Sequence, residues 1–244
     1  MMNPDFNYTG KELPLFANAK NWKKYFSSFI SKYIHGNTLE VGAGIGSNTL
    51  LLNNVSNAAR WLLLDPDKNF SEKLKSLIEK KELPENCEVI QGTIFSLDNK
   101  IKFDTILYID VLEHIQKDRE ELQYAIELLN IGGHLVLLSP AHNFLSSNFD
   151  KAIGHLRRYN KKSIRNVAEG LPLREIELIY LDSTGALLSL TNKILLNQKY
   201  PTSKQITLWD KYFVKISVLL DKFLFYRFGK TILAVWQKRV FLIE

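Results

Sequence analysis

The sequence predicts an α/β domain: a mostly parallel sheet with helices packed on both faces. Three observations predict it. Apolar strand-length runs alternate with amphipathic helical segments at roughly 30 residues per unit, as in repeated strand–helix–strand connections. The strand runs lack a two-residue alternation, which marks strands buried on both faces. The first strand also passes directly into a glycine-rich turn and a helix. The 244 residues, 45% of them apolar and 24% charged, can bury one sizeable core and exclude disordered, collagenous and coiled-coil classes. No Pro-, Gly- or Ser-rich linker and no internal repeat divides the chain, so residues 1–244 are read as a single domain.

Residues 1–36 form an N-terminal helical segment. Between Asn21 and His35, residues Trp22, Tyr25, Phe26, Phe29, Ile30 and Tyr33 recur at three- and four-residue intervals along one helical face, which Gly36 and Asn37 end. Thr38 to Val41 is a short strand, followed by Gly42, Gly44 and Gly46 and a helix over Asn48 to Leu52. Arg60 to Leu64 is a second strand ending at Asp65, Asp67 to Lys81 a charged amphipathic helix, and Cys87 to Ile90 a third strand. Phe103 to Ile109, a helix over Lys117 to Leu129, and Leu135 to Leu138 follow, the last entered through Gly132 and Gly133 and left through Pro140. Glu175 to Leu181 and Thr231 to Gln237 read as two further strands, separated by about 50 residues, far more than a hairpin needs. Residues 183–230 are therefore a helical insertion. Its expected buried stripe is Ile206, Trp209, Phe213, Ile216, Leu220 and Phe223, with Lys204, Lys211, Lys215 and Lys222 on the opposite side.

The net charge of +6 is uneven: Ser183 to Glu244 holds ten basic and three acidic residues, leaving −1 for the first 182. Such asymmetry points to anionic partners. The insertion has several readings: an ordinary packed helix with a solvated lysine face, a lid over the site, a dimer contact, or a peripheral contact with an anionic membrane. Nucleic acid is disfavoured because the aromatic residues share the apolar stripe instead of interleaving with the lysines. A single cysteine, Cys87, cannot form an internal disulfide, and the first residues lack a secretory pattern, so a cytoplasmic protein, at most peripheral to a membrane, is expected. Oligomeric state is not legible.

The loop TLEVGAGIGSN, Thr38 to Asn48, joins strand to helix so that backbone N–H groups face one ligand and missing Cβ atoms let it approach. Asp65 follows at the end of the next strand, where a carboxylate can accept from both hydroxyls of a ribose. Together they indicate a nucleoside-containing cofactor. A nicotinamide enzyme calls for G-x-G-x-x-G, whereas Ser47 occupies the last position of that pattern. Glu40 adds negative charge that disfavours a pyrophosphate and suits a sulfonium.

At these residues the sequence resembles the class I S-adenosylmethionine-dependent methyltransferases. LEVGAGIGSN resembles the family's first motif, LLLDPD its ribose-binding acid, FDTILYIDVLEHI its fourth-strand motif and IGGHLVLLSPA its fifth strand, from Thr38 to Ala141. The resemblance implies a Rossmann-like, seven-stranded, mostly parallel sheet of order 3-2-1-4-5-7-6 with an antiparallel last strand, and S-adenosyl-L-methionine as cofactor. It implies cofactor contacts from Glu40, Gly42, Ala43, Gly44, Gly46, Asp65, Pro66, Thr93, Ile94, Asp110 and Val111. Thr93 stands where the family usually carries an aspartate for the adenine amine. Ser139 to Ile164 resembles a narrower group with a G-H-x-R-R-Y motif, often found with polysaccharide and glycolipid biosynthesis, which implies a glycan or lipid-linked acceptor.

Methyl transfer from a sulfonium is an in-line displacement, so a base is needed only for a hydroxyl or a protonated amine. His114, after the fourth strand, with Asp110 nearby, is the catalytic candidate; its alternative role is to cap or orient that loop. His155, Arg157, Arg158 and Tyr159 are candidate substrate-binding residues, the arginines for a phosphate or carboxylate, with His142 a further candidate. The competing reading pairs an arginine with Asp150. No metal is expected, since no Cys/His cluster has ligand spacing. The absence of an Asn/Asp-Pro-Pro-aromatic motif argues against base-amine methylation, and the strand position of Cys87 against covalent attack at a pyrimidine carbon. The expectation is methyl transfer to a hydroxyl or amine of a small molecule or a glycan or lipid-linked precursor, phosphorylated acceptors included. Its rivals are a nicotinamide oxidoreductase and a non-catalytic binding module of the same fold.

Overall fold

The computed structural model describes residues 7–196 and 198–240. Seven strands form one sheet: β1 (His35–Val41), β2 (Asn57–Asp65), β3 (Cys87–Gln91), β4 (Phe103–Ile109), β5 (Leu129–Pro140), β6 (Leu173–Leu181) and β7 (Thr231–Lys238). Their order is β3-β2-β1-β4-β5-β7-β6. The first five pair in parallel and β7 runs antiparallel to both β5 and β6, the order and direction expected. Alternate strand residues enter two cores. Leu39, Leu62, Ile106 and Leu135 face one side with Leu122 and Ile164; Trp61, Leu63, Leu107 and Val136 face the other with Phe26, Leu52 and Leu74. Both faces are covered, so neither set is polar.

The helices are α1 (Leu13–Ala17), α2 (Lys20–Ile30), α3 (Ser47–Asn54), α4 (Lys68–Glu79), α5 (Asp118–Leu128), α6 (Asn148–Ile153) and α7 (Lys161–Ala168), then α8 (Ser183–Thr191), α9 (Ser203–Leu208) and α10 (Val214–Phe223) in the insertion. The N-terminal helix ends earlier than expected. His35 to Asn37 belong to β1, because Thr105 Oγ1 accepts from His35 N at 3.1 Å and Asp104 Oδ2 from Asn37 N at 2.8 Å. β5 likewise starts at Leu129, so Gly132 and Gly133 lie inside the strand.

The insertion is helical, but its expected inward face is wrong over the second half. A π-helical turn, Trp209–Phe213, joins α9 to α10 and changes the phase of the stripe. Ile206 and Trp209 are buried, whereas Ile216, Leu220 and Phe223 are exposed and α10 buries Val214, Ser217 and Asp221 instead. The polar face is the inner one because its groups find partners. Asp221 accepts from Tyr25 Oη at 2.9 Å and from the backbone N–H groups of Asp182 and Ser183 at 2.7 and 2.9 Å. Asp182 accepts from Ser217 Oγ at 2.7 Å and Trp209 Nε1 at 3.0 Å. Asp210 accepts from Trp22 N at 2.9 Å in the first turn of α2. Buried carboxylates with these bonds are compatible with a dry interface.

Candidate active site

The site lies at the carboxyl ends of β1, β2 and β4, where open α/β sheets bind ligands. Gly42, Gly44 and Gly46 all take left-handed backbone conformations, with φ of 67°, 56° and 76°. Gly42 is sterically required, since a Cβ there would lie 2.6 Å from Val111 Cγ2. Asp65 is aimed at the same loop: its Oδ2 accepts from Gly44 N at 2.8 Å and its Oδ1 from Asp67 N at 2.9 Å. Burial outweighs these bonds and pushes the Asp65 carboxyl up to about 6.

A cavity of about 430 Å³ brings together Gly42, Ala43, Gly44, Asp65, Pro66 and Thr93 on one side and Asp110, Val111 and His114 on the other. These nine are the predicted residues the structure assembles. Three other predicted cofactor residues lie behind them. Glu40 sits beneath the loop, 2% exposed, accepting from Thr49 Oγ1 at 2.8 Å and Trp61 Nε1 at 2.9 Å. Burial pushes Glu40 up to about 7, so the full negative charge expected of it next to a cofactor is not there at neutral pH. Gly46 packs against Leu74 and Leu83, and Ile94 is fully buried.

The N-terminal segment supplies the remaining wall, which sequence reasoning missed: Tyr8, Leu13, Phe16, Trp22, Lys23 and Phe26 all line the cavity. Tyr8 lies edge-on to His114, ring centroids 5.8 Å apart, and its N–H donates to Asp67 at 2.7 Å. Lys23 is 8% exposed and its Nζ has no hydrogen-bond partner among the described residues. Burial drives it down to about 8, against the attraction of Glu40 and Asp110. The available signal was a lysine beside the apolar face of an unusually aromatic helix.

His114 lies where expected but differs chemically from expectation. Burial, reinforced by the charge of His155, lowers it to about 4, so it is a neutral imidazole at physiological pH and a weaker base than an exposed histidine. Asp110 has φ of 55° and is open to the cavity; enclosure raises its carboxyl above the ordinary range, while His155, Lys230 and Arg158 pull the other way.

The five predicted substrate-binding residues line no part of this cavity; internal polar partners hold four of them, while the buried Nε2 of His142 has no hydrogen-bond partner among the described residues. Arg158 is buried, donating from Nε and Nη2 to Asp150 at 2.7 and 3.0 Å and from Nη1 to Ala141 O at 3.1 Å. His155 Nδ1 donates to the same Asp150 at 2.9 Å, and its Nε2 lies 3.6 Å from Glu113 Oε1. Burial disfavours the His155 cation, but Asp150, Glu113 and Asp110 more than offset this and raise its pKa. Arg157 pairs with Asp118 and donates to Gln116 O at 2.9 Å. Tyr159 Oη donates to Asp118 Oδ2 at 2.8 Å. His142 packs among Phe144, Tyr180 and Phe228. The G-H-x-R-R-Y segment is thus a brace that ties the chain after β5 to the loop after β4. Glu113, His114 and His155 also place ligand-type atoms within 4.8 Å of one another, a juxtaposition invisible in sequence spacing. Within it His155 pairs with Glu113, and His114 meets His155 edge-on, ring centroids 4.7 Å apart.

Strand order, glycine loop and acid are those of the class I methyltransferase fold. The sequence model of the family described as a methyltransferase domain matches residues 39–135. The chain is similar to the mitochondrial ubiquinone biosynthesis O-methyltransferase of Dictyostelium discoideum, 26% identical over 123 residues, covering 45% of this chain and 37% of that relative. The match therefore spans little more than a third of that relative's length. Among solved structures, a Haloferax volcanii methyltransferase in complex with the Trm112 activator is similar with a TM-score of 0.62 at 14% identity, over 94% of this chain and 92% of the other. Coclaurine N-methyltransferase bound to N-methylheliamine and S-adenosylhomocysteine is similar with a TM-score of 0.59 at 13% identity, over 90% and 72%. Among the described residues, no helix is long and apolar enough to cross a membrane.

Proposed function

We propose that this chain transfers the methyl group of S-adenosyl-L-methionine to a hydroxyl or amine of a small molecule or of a glycan or lipid-linked precursor. The observation that carries the reading is the single cavity in which the glycine loop and Asp65 face Asp110 and His114. When bound, the cofactor supplies an electrophilic methyl on a positively charged sulfur. The chain's residues fit it: Asp65 can accept from ribose hydroxyls, Gly42, Ala43 and Gly44 leave room for close approach, and the orphaned Lys23 ammonium offers a counter-charge to the cofactor's carboxylate. Pro66, Thr93 and Val111 complete the walls, and the buried Glu40, Gly46 and Ile94 support the loop from behind.

On the acceptor side, Asp110 and His114 are the groups placed to take a hydrogen bond or proton from an incoming hydroxyl or ammonium. His114 needs no prior deprotonation, because its conjugate acid is already lost near pH 4. The aromatic wall of Tyr8, Phe16 and Trp22 excludes water and restricts the acceptor to a group that fits a cavity of about 430 Å³, within the range of small-molecule sites. The bulk of catalysis is then alignment of acceptor and methyl.

The test is calorimetry with S-adenosylhomocysteine and with NAD, followed by incubation with methyl-labelled cofactor and fractionated extract. Binding of the former and label in a glycan, lipid or small-molecule pool support the reading. Binding of NAD alone, or cofactor binding without label in any pool, would replace it with an oxidoreductase or a non-catalytic module.

A further inference from the structure

We propose that the helical insertion docks the protein on an anionic lipid bilayer through the outward face of α10. The inward face of this helix buries the bonded Ser217 and Asp221 beside Val214, and most of its larger apolar residues are left outside. Tyr212, Ile216, Leu219 and Phe223 recur at spacings of four, three and four, one helical stripe, and are 52%, 45%, 70% and 79% exposed. Phe225, in the turn beyond, is 77% exposed. The adjoining α8 leads into Ile194 and Leu195, 68% and 74% exposed. A helix that buries serine and aspartate while presenting leucine and phenylalanine to water has an inverted amphipathicity that an aqueous neighbour does not explain.

Charge selects the occupant. Residues 183–230 contain eight basic and two acidic residues. The acids, Asp210 and Asp221, are both buried and bonded inside. The basic residues other than Lys230 are exposed, so the outer surface of the insertion carries cations and no exposed carboxylate. Lys211, Lys215 and Lys222 each immediately precede a member of the apolar stripe, about 100° around the helix from it. From there an ammonium can reach headgroup phosphates while its methylene stem follows the apolar ridge. A second copy of the chain fits poorly, because a symmetric contact would oppose these cations with no acid to receive them. The surface is separate from the cavity residues, so the proposal does not depend on the reaction assigned above.

The full chain should float with vesicles of phosphatidylcholine and phosphatidylglycerol in equal parts at low salt, bind pure phosphatidylcholine vesicles at least tenfold more weakly, and lose most binding to anionic vesicles at 0.5 M salt. L219D/F223D should reduce binding to anionic vesicles at least tenfold with unchanged circular dichroism, both positions being exposed. K211E/K215E should weaken binding at low salt only. The proposal is overturned if the chain does not float with anionic vesicles at low salt, if L219D/F223D binds as well as the parent chain, or if light scattering shows a dimer that L219D/F223D dissolves.

Discussion

Replacing Lys23 with methionine separates cofactor recognition from folding. Lys23 is buried and, among the described residues, without a hydrogen-bond partner, and its pKa falls from 10.5 to about 8. The native state thus binds this proton less tightly than the unfolded chain does. The destabilisation is fully present below pH 8 and fades as pH rises from 8 to 10.5, where the unfolded chain still holds the proton. Two and a half pKa steps at about 1.4 kcal/mol each amount to about 3.5 kcal/mol at pH 7. Methionine matches the stem without the charge, so Lys23→Met should raise the melting temperature of the ligand-free protein by several degrees at pH 7. The same change removes the proposed charge-assisted bond to the cofactor's carboxylate, worth about 1.5–3 kcal/mol, so affinity for S-adenosylhomocysteine should fall roughly 10- to 150-fold in calorimetry. The parent chain's affinity should also decline above pH 8. A variant that is less stable and binds equally well would refute the reasoning, because it would mean the ammonium serves the fold and not the ligand.

Asp65→Ala should weaken cofactor binding at least tenfold, and in the parent chain affinity should fall as pH drops through about 6, where the carboxyl takes up its proton and loses acceptor capacity; a flat profile from pH 7 to 5 by calorimetry would count against it. Gly42→Ala forces a left-handed residue with its Cβ 2.6 Å from Val111, so thermal denaturation should show a loss of about 1–3 kcal/mol. Arg158→Met leaves the buried Asp150 short of its bidentate partner and should cost about 3–5 kcal/mol in urea unfolding, an effect a solvent-facing substrate arginine would not produce. His114→Ala should lower turnover of labelled methyl while leaving cofactor affinity within about twofold, since its ring lines the acceptor side.

Much of the fold was legible because each strand meets helices on both faces, which forces continuous apolar runs, and because a left-handed turn demands glycine at Gly42, Gly44 and Gly46. Asp65 was legible for the same local reason: it ends a strand one unit after the loop. The wall formed by Tyr8, Phe16 and Lys23 was not, since nothing local says that an N-terminal segment folds back across strands far along the chain. Residue chemistry misled in the G-H-x-R-R-Y segment. Adjacent arginines suit an anionic substrate, yet Arg158 and Arg157 meet Asp150 and Asp118.

By itself, then, the amino-acid order determined the strand sequence, the glycine loop, the acid that ends the second strand and the charge of the last quarter, all of which depend on neighbours within a few residues or one strand–helix unit. Only the tertiary structure decided which cations are free and which helical face is inward. Pairing depends on what lies within a few ångströms: among the described residues Lys23 Nζ has no hydrogen-bond partner, whereas Arg158 meets Asp150. Likewise Asp221 and Ser217 turn inward, because Tyr25 and the backbone after β6 offer them hydrogen bonds that water would otherwise supply.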